Sequence, residues 1–126
     1  MPKINKELNY VNMAKIPREV TATINNLKQQ ALNIVEEASA LESTLFEALG
    51  ETDATISYLD EMKSVADYAE SSYSQLSTLQ LQIAKAQPIA PRDMLELLAQ
   101  AIARTEARIP ALERSIEEVK MEWNLP

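Results

Sequence analysis

Between Val20 and Ala48, apolar or small side chains recur at Val20, Ile24, Leu27, Ala31, Ile34, Ala38, Leu41, Leu45 and Ala48, at alternating spacings of four and three residues. A seven-residue repeat held over four cycles is what a helix needs to lay one apolar seam against a neighbouring helix along its whole length. The same repeat returns twice. It runs through Thr55, Tyr58, Met62, Val65, Ala69, Ser72, Leu76, Leu79, Ile83 and Ala86. It runs again through Leu95, Leu98, Ile102, Thr105, Ile109, Leu112, Ile116, Val119 and Trp123. Three helical seams of equal period leave no room for strands, and the single Gly among 126 residues agrees with long helices.

The breaks between the seams carry turn chemistry. Gly50 follows Leu49, and Glu51, Thr52 and Asp53 come next, so Gly50 is expected to close one helix in the left-handed conformation while Thr52 or Asp53 caps the next. The competing reading is one unbroken helix through Gly50, along a seam of Leu45, Ala48, Thr52, Thr55, Leu59 and Met62. A glycine inside a helix costs only about 1 kcal/mol; the hairpin is preferred on turn chemistry. Pro88 and Pro91 make the second bend, because prolines remove donors and push the preceding residue out of the α region. Pro17 and Pro91 suit the first turns of the first and third helices. Pro110 falls within the third seam without shifting its phase, which predicts a kink rather than a split.

The sequence thus predicts an all-α protein. Residues 1–16 read as a short basic leader, a fraying helix with Ile4, Leu8 and Val11 at helical spacing among Asn5, Asn9 and Asn12. Residues 17–126 read as one three-helix domain with helices at about 17–49, 53–87 and 91–124. The economical arrangement is a long antiparallel up-down-up three-helix bundle with coiled-coil-like packing. It puts Trp123 beside the Gly50 turn, near Phe46, Leu49 and Ile56. The alternative is a set of elongated helices that completes its core with other chains, which the many Ala, Ser and Thr seam positions favour. A second apolar column at Leu32, Val35, Phe46 and Leu49 widens the first helix's arc, as a helix touching two neighbours would require.

Most chemistry is excluded by missing residues. No histidine and no cysteine means no catalytic triad, no thiolate nucleophile, no haem ligation and no Cys/His zinc site. One glycine cannot build a phosphate-binding loop. Carboxylates are plentiful, including Glu36, Glu37, Asp60, Glu61, Glu117 and Glu118, but they fall on the solvent side of the heptads and lack the histidines of a helical di-metal site. The chain is therefore read as not an enzyme, with no cofactor and no small-molecule substrate. A net charge of −7 argues against nucleic acid and anionic membrane as partners, since both require clustered Lys and Arg. Only the leader is basic, with Lys3, Lys6 and Lys15 against Glu7. With no signal peptide or apolar run of spanning length in view, an intracellular, cytoplasmic location is the default.

Association with protein remains. The chain reads as a non-enzymatic structural or adaptor protein that binds helices of its own copies or of other subunits, as a small subunit of a larger or self-associating assembly. The expected contact residues are apolar positions off the main seams, Leu32, Phe46, Ile56, Leu81 and Leu97. Leu81 lies in a stretch, residues 71–84, with no charged residue. The alternative is a secreted or membrane-active helical protein whose apolar hairpin around Pro88–Pro91 engages lipid.

Overall fold

The computed structural model describes residues 16–88 and 90–125. It contains three helices, α1 (Arg18–Leu49), α2 (Ile56–Lys85) and α3 (Arg92–Glu122). They hold 32, 30 and 31 residues, so each is roughly 45–48 Å long at 1.5 Å per residue. The fraying helix expected in the leader lies outside the described residues.

Cross-helix contacts give the directions. Lys28 Nζ donates to Gln80 Oε1 at 2.9 Å, and further along α1 Glu42 pairs with Lys63, nearer the start of α2. These two helices therefore run antiparallel. Arg104 donates to Gln75, and Arg108 lies over the ring of Tyr68, so α3 runs antiparallel to α2. Glu37 meets Lys120, which sets α1 and α3 side by side, and because both run antiparallel to α2 they are parallel to each other. Every pair of helices packs together around one continuous core, as an up-down-up three-helix bundle does. The open arrangement completed by other chains is not the one adopted.

The heptad seams supply that core. Ile24, Leu27, Ala31, Ile34, Ala38, Leu41 and Leu45 of α1 are all buried. Val20 and Ala48, the ends of the expected seam, are half-buried and exposed respectively. The second column on α1 does not face a second neighbour: Val35 is half-buried, whereas Leu32, Phe46 and Leu49 are exposed. One seam suffices because its residues sit astride the cleft between the other two helices, and buried Ala31 and Ala38 let the backbones approach closely. In α3 the buried set is Leu98, Ala101, Thr105, Ile109, Leu112, Ile116 and Val119, so Ala101 takes the inward place expected of Ile102. Leu95 and Ile102 are turned to the side and only half-buried.

The Gly50 hairpin forms. The Gly50 N–H donates to the Phe46 carbonyl at 2.8 Å and its φ is +71°, but its ψ is −175°, which is extended rather than left-handed helical. That combination belongs almost exclusively to glycine. Neither Thr52 nor Asp53 is the residue before α2: that place is Thr55, without a side-chain capping bond, and the Thr52 hydroxyl caps the preceding turn instead, accepting from the N–H groups of Ala54 and Thr55. The turn that it starts delays α2 to Ile56. Thr55 is itself buried, and its hydroxyl donates to the Gly50 carbonyl at 2.7 Å while accepting from the Thr52 N–H at 2.9 Å.

Pro17 and Pro91 stand one place earlier than expected, as the residues before α1 and α3, with ψ near 145–148°. An extended proline cannot be a helical residue, but its carbonyl still accepts the first helical bonds, from Thr21 in α1 and Leu95 in α3. α3 continues through Pro110 as a single helix. At its far end Asn124 adopts a positive φ of 54°, and the Leu125 N–H reaches the Lys120 carbonyl at 2.8 Å. Together with the bond from Asn124 N–H to the Met121 carbonyl, this is a Schellman closure, with asparagine in the place glycine usually takes.

Trp123 lies at the Gly50 end of the bundle, as the topology requires. Its ring meets that of Tyr58 edge to face, with centroids 5.4 Å apart at 90°. Phe46 and Leu49, expected in this plug, point outward instead; Tyr58 fills the place beside the indole.

Candidate functional site

The surface of the bundle offers three features: exposed apolar side chains, a carboxylate-lined hollow and an apolar groove. The exposed apolar side chains include four of the expected contact positions. Leu81 is 61% exposed, Phe46 55%, Leu97 52% and Leu32 40%. Ile56, in the first turn of α2, is half-buried. They do not form one patch. The pairing of Arg104 with Gln75 sets Leu81 and Leu97 at about the same height on α2 and α3, near the proline bend. Phe46 and Ile56 belong to the Gly50 end, close to either side of the turn. Leu32 lies mid-bundle, one turn beyond Lys28, whose ammonium sits 5.2 Å from the centre of the Tyr73 ring.

Leu81 has an unusual setting. On its face of α2, Ser71, Ser74, Thr78 and Gln82 are also exposed, and no charge interrupts residues 71–84. A charged side chain at an interface must be desolvated when a partner docks, whereas a hydroxyl or amide exchanges its water at little cost. Leu81 is the large apolar centre of that neutral strip.

The tyrosines serve the bundle. Tyr68 takes the Arg108 guanidinium 4.6 Å from its ring centre, and Tyr73 takes Lys28, each bridging two helices at the edge of the core.

At the Gly50 end, an open hollow of about 550 Å³ is bounded by Tyr58, Glu61, Glu118, Val119, Met121 and Glu122. Its carboxylates do not converge: among the described residues no group of three or more acidic side chains is placed to hold a metal ion. Glu36, Glu37, Asp60, Glu117 and Glu118 are exposed and Glu61 is half-buried, so these carboxylates lie on solvated faces. The indole Nε1–H of Trp123 is buried with no acceptor among the described residues. Compared with family models, curated proteins and solved structures, the chain matches none.

At the opposite end, a groove of about 390 Å³ separates the start of α1 from the first half of α3. Ile16 and Val20 form one wall, and Leu95, Ala99 and Ile102 the other. Glu106 is the only charged residue lining it among the described residues. The seam shift in α3 makes this groove: with Ala101 turned inward, Leu95 and Ile102 are left on the flank toward α1. Sequence reasoning missed it, because the heptad pattern places Leu95 and Ile102 in the core. Among the described residues, no helix is long and apolar enough to cross a membrane.

Proposed function

We propose that this protein is a non-enzymatic structural or adaptor protein that works through helix–helix contact, as a small subunit of a larger or self-associating assembly. The observation that carries this reading is Leu81, 61% exposed at the centre of the uncharged strip 71–84 and level with exposed Leu97. The bundle satisfies its own core, so these side chains are surplus to folding and available to a partner helix. Such contacts bury little area each, and affinity rests on a few anchors of this kind rather than on the whole face.

The double variant Leu81→Glu, Leu97→Glu tests it. Helicity by circular dichroism should be unchanged, because both residues are exposed. Mass by light scattering should fall to that of the 14.1 kDa chain, or capture of a partner by the tagged chain should be lost. Unchanged assembly would remove both residues from the interface.

A lipid-binding hairpin at Pro88–Pro91 is the competing reading. Among the described residues around that bend, Ile83, Ala90 and Leu98 are buried while Leu81 and Leu97 are exposed. Flotation with neutral and anionic vesicles separates the two, since an adaptor stays in solution.

A further inference from the structure

The wall that α3 gives to the groove is close to its own complement. Its exposed midpoint is Ala99, and about one turn to either side the wall is apolar, with half-buried Leu95 before it and half-buried Ile102 and exposed Ala103 after it. Arg92 and Glu106 each stand seven residues from Ala99, one on either side. At about 100° per residue both fall within about 20° of its line, and each lies about 10 Å from it along the axis. The stripe therefore reads positive, apolar, small, apolar, negative. Both charged residues are exposed, and neither has an ion-pair partner among the described residues.

A helix with that pattern matches an antiparallel copy of itself. When two such helices lie side by side about a dyad at Ala99, the numbers of residues at one level sum to 198 (99 + 99). Arg92 then meets Glu106 of the second copy, twice by symmetry. Like flanks face each other in an antiparallel pair, so the flank carrying Leu95 and Ile102 meets the same flank of the copy, with Ile16 and Val20 beside it. Glu96 falls on the other flank, where it faces Ala103 rather than an acid. The small side chain of Ala99 at the dyad lets the two axes approach closely.

We propose that the α1–α3 groove is a self-association surface, on which α3 of a second copy docks antiparallel about Ala99 with an Arg92–Glu106 pair at each end. The contact is weak, because four turns of one helix with Ile16 and Val20 bury less than the roughly 800 Å² per partner of a standard stable interface. The net charge of −7 on each copy also opposes it, so the dimer forms only at high protein concentration. Leu97 lies about 160° around α3 from Ala99, so this contact does not rest on the adaptor reading of the Leu81–Leu97 face.

Sedimentation equilibrium over rising concentrations tests it. Mass should climb from 14.1 kDa toward twice that value. Ala99→Glu sets two carboxylates against each other at the dyad and should weaken the dimer at least about tenfold, with helicity by circular dichroism unchanged because Ala99 is exposed. Arg92→Glu and Glu106→Arg should each weaken it by about tenfold, and the two together should restore it. Fourteen residues of helix, about 21 Å, separate the two positions within one chain, so that restoration can arise only between copies. A mass that stays at 14.1 kDa at every concentration would overturn the proposal. A dimer that survives Ala99→Glu, including one lost only in Leu81→Glu with Leu97→Glu, would overturn it too, as would one that the combined charge reversal fails to restore.

Discussion

Gly50 holds a backbone conformation, φ +71° with ψ −175°, that a side chain resists wherever there is room for it. A Cβ there would meet nothing within 4 Å, so the cost of Gly50→Ala is purely conformational, at about 1–3 kcal/mol. Urea unfolding should show the midpoint falling with the slope unchanged. Thr55 secures the same turn from inside. Thr55→Val keeps the shape but deprives the Gly50 carbonyl of its 2.7 Å donor, for an expected loss of about 1–2 kcal/mol. Because both act on one turn, the double variant should lose less than the two single losses combined. Trp123 makes the opposite case. Its buried Nε1–H has no acceptor among the described residues, while its ring packs on Tyr58. Trp123→Phe keeps an aromatic edge and deletes the orphaned donor, so it should stay within about 1 kcal/mol of the parent in thermal unfolding. Trp123→Ala, which also removes the ring, should cost about 2–4 kcal/mol.

Each element's rotation follows from which residues it buries. α1 keeps its heptad face from Ile24 to Leu45, while α3 shifts at Ala101 and turns Leu95 and Ile102 aside. Periodicity could place the buried face of α3 only within one position, since Ala101 and Ile102 are both apolar and adjacent. Tertiary packing chose the smaller one for the inside. Pro110 is exposed within α3 and has no N–H to give to the Glu106 carbonyl. Pro110→Ala restores that bond in a helix that already runs through the position. It should raise stability by up to about 3 kcal/mol. No gain would mean that the Glu106 carbonyl is satisfied without the restored bond. The turn signals were legible at Gly50, Thr52 and the paired prolines, because each acts through local backbone chemistry. The Schellman closure at Asn124 was missed; asparagine's tolerance of positive φ was the available signal.

At the scale of the whole molecule, the core runs unbroken from Leu45 and Val119 at one end to Ile83 and Ala90 at the other. A single shared core predicts a single cooperative transition. Trp123 fluorescence reports on the Gly50 end, and far-ultraviolet circular dichroism reports on all three helices, so the two melting curves should coincide. A dichroism change that precedes the fluorescence change would mean that the proline end, where the groove opens, unfolds separately. The candidate contact residues show what pattern could and could not say. That Leu32, Phe46, Leu81 and Leu97 are off the seams was plain from spacing, but exposure of all four depends on how the other helices pass them.

By itself the sequence determined the class, the number of helices and, for α1 and α3, their length to within a few residues, the sites of both turns and, to within one position, the face that each helix buries, whereas α2 is five residues shorter than the 53–87 expected. These follow from period and from residues that act on their own backbone. The tertiary structure decided the rest: the partner of Trp123, the outward turn of Phe46 and Leu49, the inward choice of Ala101, and the groove between the start of α1 and the first half of α3. Those depend on the stagger and rotation of whole helices, which are set by side chains meeting across dozens of positions and leave no periodic trace in any one segment.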